Sequence, residues 1–467
     1  MKLQSIIALS AIALSSTAFA QTNGGISEEM LTEIRTYADN SPAQKAIRNA
    51  LANNAIPTLV VNSENPNRLD MNFTYRVPSK GITNQRSSGR CWLFTGQNFL
   101  RAQAMREHDL PELKLSQNYN FFWDQLEKSN LFLQSVIDYA GEPMDSRQNK
   151  WLFANALADG GQFTGIADNL MKYGVVPDFV MPETYQSEHT ADMRQLLTWK
   201  LREDGLKLRK MAAEKKSAEE IQKTKTEMLG EIYRILTLNL GEPPTEFTFT
   251  QKDTRGNVVE TRKFTPKQFY DKFFGNNLAE DYVMIMNDPT RPYYKVYEID
   301  LDRHTYDGKN WRYLNLPMEE IKALAIESIK DSSAMYFSCD VKKYLDRDGG
   351  TIDLQNYDYE SLYGTKFGMD KAQRIETGSS SSSHAMTLVG VNIGEDGKPD
   401  KWLIENSWGI NPSNGKHGHL IATDEWLDEY LFRLVVNKKY VPSKTLKLLE
   451  GEATMLPAWD PMFAPEE

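Results

Sequence analysis

The chain has 467 residues, 40% hydrophobic and 11% aromatic, beyond the roughly 250 to 300 residues that one core usually holds, so at least two packed subdomains are expected. Its formal net charge of −10 argues against a nucleic-acid binder driven by phosphate neutralisation, and no basic arm offsets that balance. Two cysteines in the whole chain exclude a disulfide-built scaffold.

Residues 1–20 read as a cleavable export signal: Lys2 gives the positive start, residues 6–14 a short apolar run, and Ala18-Phe19-Ala20 a small-x-small cleavage site. A periplasmic or secreted protein starting at Gln21 is expected, its charge moving from −10 to −11 with the loss of Lys2. No later stretch approaches the roughly 20 apolar residues of a membrane span.

Residues 21–70 form an N-terminal helical segment, with apolar spacings that suggest two short helices. Residues 71–189 start with an extended arm and continue as helices, including an aromatic one over 115–139. Asp159-Gly160-Gly161-Gln162 precedes a helix that stops at Gly174. The paired glycines suit either a helix-entry turn or backbone exposed for a peptide to pair with. In residues 190–275, the rows Met193, Leu197, Leu201 and Met228, Ile232, Leu236, Leu240 predict an αα-hairpin. A capping box at Ser217-Ala218-Glu219-Glu220 starts its second helix. Alternation about Phe247 and Phe249 predicts a β-hairpin next. Residues 276–445 are strand-rich, with one helix over 317–330, and residues 446–467 are a tail. The fold class is α+β, with a helical half opposing a β-rich half and a cleft between them.

Three stretches carry chemistry. In Gln85-Arg86-Ser87-Ser88-Gly89-Arg90-Cys91-Trp92, the cysteine opens a helix, where unpaired N–H groups and the macrodipole favour a thiolate. Gln85 offers a side-chain N–H donor to an oxyanion, beside the Cys91 backbone N–H. On position alone, a buried structural cysteine explains Cys91 equally well. Cys339, in an apolar β-like run, reads as buried and inert. Of the six histidines, only His384, at the start of an apolar strand, sits like a base. Asn406, in Glu405-Asn406-Ser407-Trp408-Gly409, follows 22 residues later. Nucleophile, base and orienter in this order suit acyl transfer through a thiolate, with Trp408 covering the histidine–asparagine hydrogen bond. His417 and His419 suggest a metal pair but lack a carboxylate or thiol cluster, and a glycine loop is the better reading. No cofactor or metal enters this chemistry.

These motifs resemble those of the papain-like cysteine peptidases. The Cys91-to-His384 separation, 384 − 91 = 293 residues, exceeds the roughly 130 to 150 of the papain and cathepsin group. Together with Ser116-Gln117-Asn118-Tyr119, Asp159-Gly160-Gly161-Gln162, Pro182-Glu183-Thr184-Tyr185, His384-Ala385-Met386-Thr387 and Leu456-Pro457-Ala458-Trp459-Asp460-Pro461-Met462, it resembles the bleomycin hydrolase and aminopeptidase C family nearly throughout. The resemblance implies a papain-like fold, a helical subdomain plus a β-barrel-like one, with an inserted helical hook domain and assembly as a homohexamer. It implies aminopeptidase activity with Cys91 as nucleophile, His384 as base and acid, Asn406 as orienter and Gln85 as oxyanion donor. Peptide contacts are expected at Gly160, Gly161 and Trp408, and at Glu467, because in the family the C-terminus lies in the cleft. An export signal departs from mostly cytosolic relatives, and 463–467 departs from the family's tail. Competing readings are a cathepsin-like endopeptidase and a non-catalytic peptide-binding scaffold.

Overall fold

The computed structural model describes residues 24–65, 69–78, 80–275, 277–310, 312–410 and 416–462. The export-signal reading and Glu467 lie outside them. The chain divides into two units, ending and starting at Val61 and Asn62. The first carries the two expected helices, Glu28–Arg35 and Pro42–Asn53, capped by Ser27 and Ser41. None of their residues is buried.

In the second unit the helical half is built on Cys91–Glu107, Gln117–Asp138 and Phe163–Tyr173. Ser116 caps the second of these, its hydroxyl accepting from Tyr119 N. Gly174, at φ +72, ends the third, and a Cβ there would overlap the Pro266 backbone. The helical hairpin is Ala191–Ala213 and Ala218–Leu240. Its Leu197, Leu201, Met228, Ile232 and Leu236 are all buried, and both helices pack on Gln117–Asp138. Of the expected capping box only the Ser217 half forms: its hydroxyl accepts from Glu220 N. The hairpin Phe247–Lys252 with Val258–Phe264 follows.

Among the described residues the β half is one twelve-stranded sheet. Its centre runs Tyr282–Met286, Leu431–Asn437, Met335–Cys339, His384–Ile393, Pro399–Glu405 and His419–Thr423, every neighbouring pair antiparallel. The central strands are buried on both faces, so they read as continuous apolar runs such as Ala385-Met386-Thr387-Leu388-Val389. The expected arm is there as Tyr75–Arg76, pairing with Val391 and Gly390 near the end of His384–Ile393. The helix Met318–Lys330 begins after Pro317, as the sequence indicates. The strand His419–Thr423 and the short helices Arg147–Ala154 and Pro266–Phe273 lie outside the sequence reading. One hydrophobic cluster runs from Val77 to Met462 and includes the helical hairpin.

Candidate active site

On the helical side, Cys91 is the first residue of its helix and fully buried. The turn before it is fixed from outside. Gly89 N–H donates to Asp159 Oδ2 at 2.8 Å, and a Cβ at Gly89 would sit 2.7 Å from Asp159 Oδ1, closer than real Cβ contacts come. Arg90, with no exposed surface, is anchored by Glu183 at 2.9 Å and lies over the Phe94 and Phe121 rings. Leu93 N and Phe94 N turn back to Arg90 O, both at 3.0 Å. The helix therefore starts at the sulfur, where its dipole favours an anion.

On the sheet side, His384 is the first residue of its strand, in register with Cys339. Thr387 pairs with Glu405, so Asn406 lies just past the end of the adjacent strand. His384 Nε2 and Asn406 Oδ1 are 2.9 Å apart, and Asn406 Oδ1 also accepts from Ser407 N at 2.8 Å. With its amide oxygen towards the ring, Asn406 takes a hydrogen from Nε2 and leaves Nδ1 for proton exchange. Trp408 lies against the imidazole, ring centroids 5.1 Å apart, with Arg347 4.6 Å above the indole. The serine run ahead of His384 is docked, Ser380 Oγ donating to Asp340 at 2.8 Å and Ser383 N to Cys339 O at 3.0 Å.

The two sides meet at Cys91. The N–H of Ala385, the residue after His384, donates to Cys91 Sγ at 3.5 Å. A second junction brings in Gln85: its N–H donates to Ser407 O at 2.8 Å, and Ser407 Oγ donates to Gln85 Oε1 at 2.7 Å. Asn84 pairs with Trp408, and Gly409 N–H donates to Thr83 O. One N–H of the Gln85 amide is donated to Ser88 O at 2.7 Å. Cys91, His384, Asn406, Gln85 and Trp408, spread over more than 300 residues, thus share one locus. Neither cysteine is in a disulfide, and Cys339 is buried as expected.

Gly160 and Gly161 follow Asp159, which holds Gly89, so they continue from the turn before Cys91 along the helical wall. They also line a pocket with Leu157, Trp151 and Leu301. Beside that pocket runs the tail: Ala458 packs on Leu152 and Leu301, Asp460 pairs with Arg291 at 2.5 Å, and Met462 O accepts from buried Arg433. Arg433 is in register with Ser338, next to Cys339, the partner of His384.

His417 is exposed, whereas His419 is in a strand and buried, and burial together with Arg76 pushes its pKa down to about 4. Among the described residues no group of three or more His, Cys, Asp or Glu is placed to hold a metal, and no helix is long and apolar enough to cross a membrane. The sequence reading missed the parts played by Ser407 and Asp159, although both stand inside quoted motifs.

A helical wall and a β wall with the cysteine at their junction is the architecture of the papain-like cysteine peptidases. Residues 25–463 match the model of the Peptidase C1-like family. Aminopeptidase C of Lactobacillus delbrueckii subsp. lactis is 36% identical, covering 94% of this chain and 98% of that protein. Bleomycin hydrolase of Gallus gallus is 39% identical over 84% of this chain and 88% of that protein. The crystal structure of PepW from a Lactobacillus is 37% identical, covers 95% of this chain and 99% of that one, and superposes with a TM-score of 0.90. The chain belongs to the Peptidase C1-like family and is a cysteine peptidase.

Proposed function

We propose that the protein is an aminopeptidase that releases residues from peptide N-termini through a Cys91 acyl-enzyme. The observation that carries the mechanism is the junction itself: the Cys91 sulfur at a helix start, one residue from His384, whose ring is held by Asn406 at 2.9 Å. His384 takes the thiol proton, and the thiolate attacks the scissile carbonyl. The oxyanion then accepts from the Cys91 N–H and the remaining Gln85 amide N–H. His384 returns the proton to the leaving amine, which departs with the shortened peptide. Water, deprotonated by the same imidazole, releases the amino acid and restores the thiol.

Restriction to N-termini rests on the tail. The papain-like groove accepts extended chains, so an exopeptidase has to fill the side beyond the substrate's first residue. The described tail runs to Met462 at Arg433, one strand away from the partner of His384, and five residues follow it. Glu467 is the group proposed to receive the substrate ammonium, through its carboxylate. The names of the relatives, aminopeptidase C among them, agree with this reading. Cleavage of mixed peptides with free and acetylated N-termini tests it: single residues released only from free N-termini support it, and internal cuts in acetylated peptides select the endopeptidase alternative.

Two further readings belong here. Export rests on residues 1–20 alone. Self-assembly into a homohexamer rests on family resemblance and on Leu196, Trp199 and Leu206, a stripe on one helix of the hairpin that is more than half exposed. Mass measurement in solution, on wild type and Trp199→Glu, tests the assembly.

A further inference from the structure

The proposed chemistry makes no use of a buried ionic cluster on the helical side. Lys128 Nζ lies 2.9 Å from Asp124 Oδ2, and His304 Nδ1 lies 2.6 Å from Asp124 Oδ1. Asp124 and His304 are buried and the Lys128 side chain is 11% exposed. Exchanging a buried ion pair for apolar residues is often neutral or stabilising, so such a pair calls for a role besides stability.

Its contacts point to one connecting segment. Lys128 Nζ donates to Gly160 O at 2.6 Å and to Ala158 O at 3.2 Å. Gln125 Nε2 adds a second donor to Ala158 O at 3.0 Å, and Trp92 Nε1 donates to the intervening Asp159 O at 2.8 Å. Three successive carbonyls of 158–160 are therefore bound by side chains from two helices, one donor being the neighbour of Cys91. The His304 ring lies under the next residue: a Cβ at Gly161 or Gly165 would overlap it. It also stands edge-on to Trp92, centroids 4.7 Å apart.

The charges are consistent with a fixed support. Burial, then the Lys128 ammonium, lowers the His304 pKa, so the ring is neutral and donates Nδ1–H to Asp124. Lys128 and His304 hold the Asp124 carboxylate ionised against its own burial. The cluster thus carries one cation and one anion and sets one ammonium on the Gly160 carbonyl. That carbonyl belongs to the same peptide unit as the Gly161 N–H, so a cation on its oxygen polarises the unit and makes that N–H a stronger donor.

We propose that Lys128, paired with Asp124 and backed by His304, is a positioning residue: it fixes segment 158–161 and strengthens the Gly161 N–H for pairing with an extended peptide backbone. This rests on the peptidase reading of the cleft. The test uses Lys128→Gln and the charge-neutral double variant Lys128→Met/Asp124→Asn, which leaves no stranded buried charge. Expected for both is a rise in peptide KM of about tenfold with kcat within about twofold. Alkylation of Cys91 by iodoacetamide, which needs no strand pairing, should stay within about twofold of wild type. In the Cys91→Ala background the dissociation constant of an uncleaved peptide should weaken by about tenfold, a readout independent of turnover. Unchanged KM and dissociation constant would overturn the proposal, as would a fall in kcat and alkylation rate that matches the change in KM. A wild type that binds peptide tightly but cleaves none contradicts the peptidase reading instead, and the dissociation constants still decide the part of Lys128.

Discussion

The two walls of the cleft hold their functional groups by different means. On the sheet side, backbone register does the work: His384 opposite Cys339 and Thr387 opposite Glu405 put an imidazole and an amide 2.9 Å apart at the ends of neighbouring strands. On the helical side, side chains from distant segments grip the backbone, Asp159 on the Gly89 N–H, Trp92 on Asp159 O and Lys128 on Gly160 O. Side chains held by a ladder are suited to transferring a proton along a fixed line. Backbone held by side chains is suited to presenting N–H and C=O groups to another chain. Substitutions on the sheet side should therefore act on kcat, and those on the helical wall away from Cys91 on KM.

The largest expected effect falls where the walls meet. Cys91→Ala should lower peptide hydrolysis by roughly 10⁴-fold or more, with His384→Ala close behind, since members of a catalytic unit are not additive. Their circular dichroism spectra should match that of wild type. Asn406→Ala comes next, with kcat down by roughly 10- to 100-fold and KM nearly unchanged, because orienting the imidazole matters most in the transition state. A dominant KM effect there would remove the division between the walls.

Deleting residues 463–467 should shift cleavage from terminal to internal bonds while iodoacetamide still modifies Cys91. An ammonium–carboxylate hydrogen bond contributes on the order of 1.5 to 3 kcal/mol, so the preference for free over acetylated N-termini should drop by roughly tenfold to a hundredfold. Peptide maps of the truncated enzyme check this. If it still releases only terminal residues, the tail does not set the cleavage position.

The effect furthest from the chemistry concerns stability on the sheet side. His419 pairs in register with Glu405, just before Asn406, and has a folded pKa of about 4 against an ordinary value near 6.5. Below the unfolded pKa the unfolded chain binds more protons at this site. Stability is thus full above about pH 6.5 and falls by roughly 1.4 kcal/mol per pH unit towards pH 4 from this group. His419→Gln should flatten that part of the pH profile in urea melts, and an unchanged slope would assign it elsewhere.

The same contrast explains what could be read from the chain alone. His384 and Asn406 were legible because each stands at one end of an apolar strand run, and Cys91 because a glycine turn and an apolar helix flank it. The strand Tyr282–Met286 was legible as an unbroken apolar stretch, and Leu431–Asn437 as one interrupted by Arg433. Lys128 was not, since on a helix its charge looks like any solvated side chain. Nor was His304, which meets Asp124 across 180 positions through a fold that no local spacing encodes. Ser407 was visible in its motif, but its bond to Gln85 depends on segment 83–87 lying along 407–409.

Whether Cys91, activated by His384, performs the chemistry can be read from stoichiometric labelling. A thiol-directed epoxide applied to the native enzyme at mildly acid pH, followed by peptide mass mapping, should give one adduct, at Cys91 and none at Cys339. Peptide hydrolysis should fall in proportion to the labelled fraction, and His384→Ala should slow labelling by orders of magnitude. Full modification of Cys91 with hydrolysis retained, or labelling at wild-type speed without His384, would contradict the account.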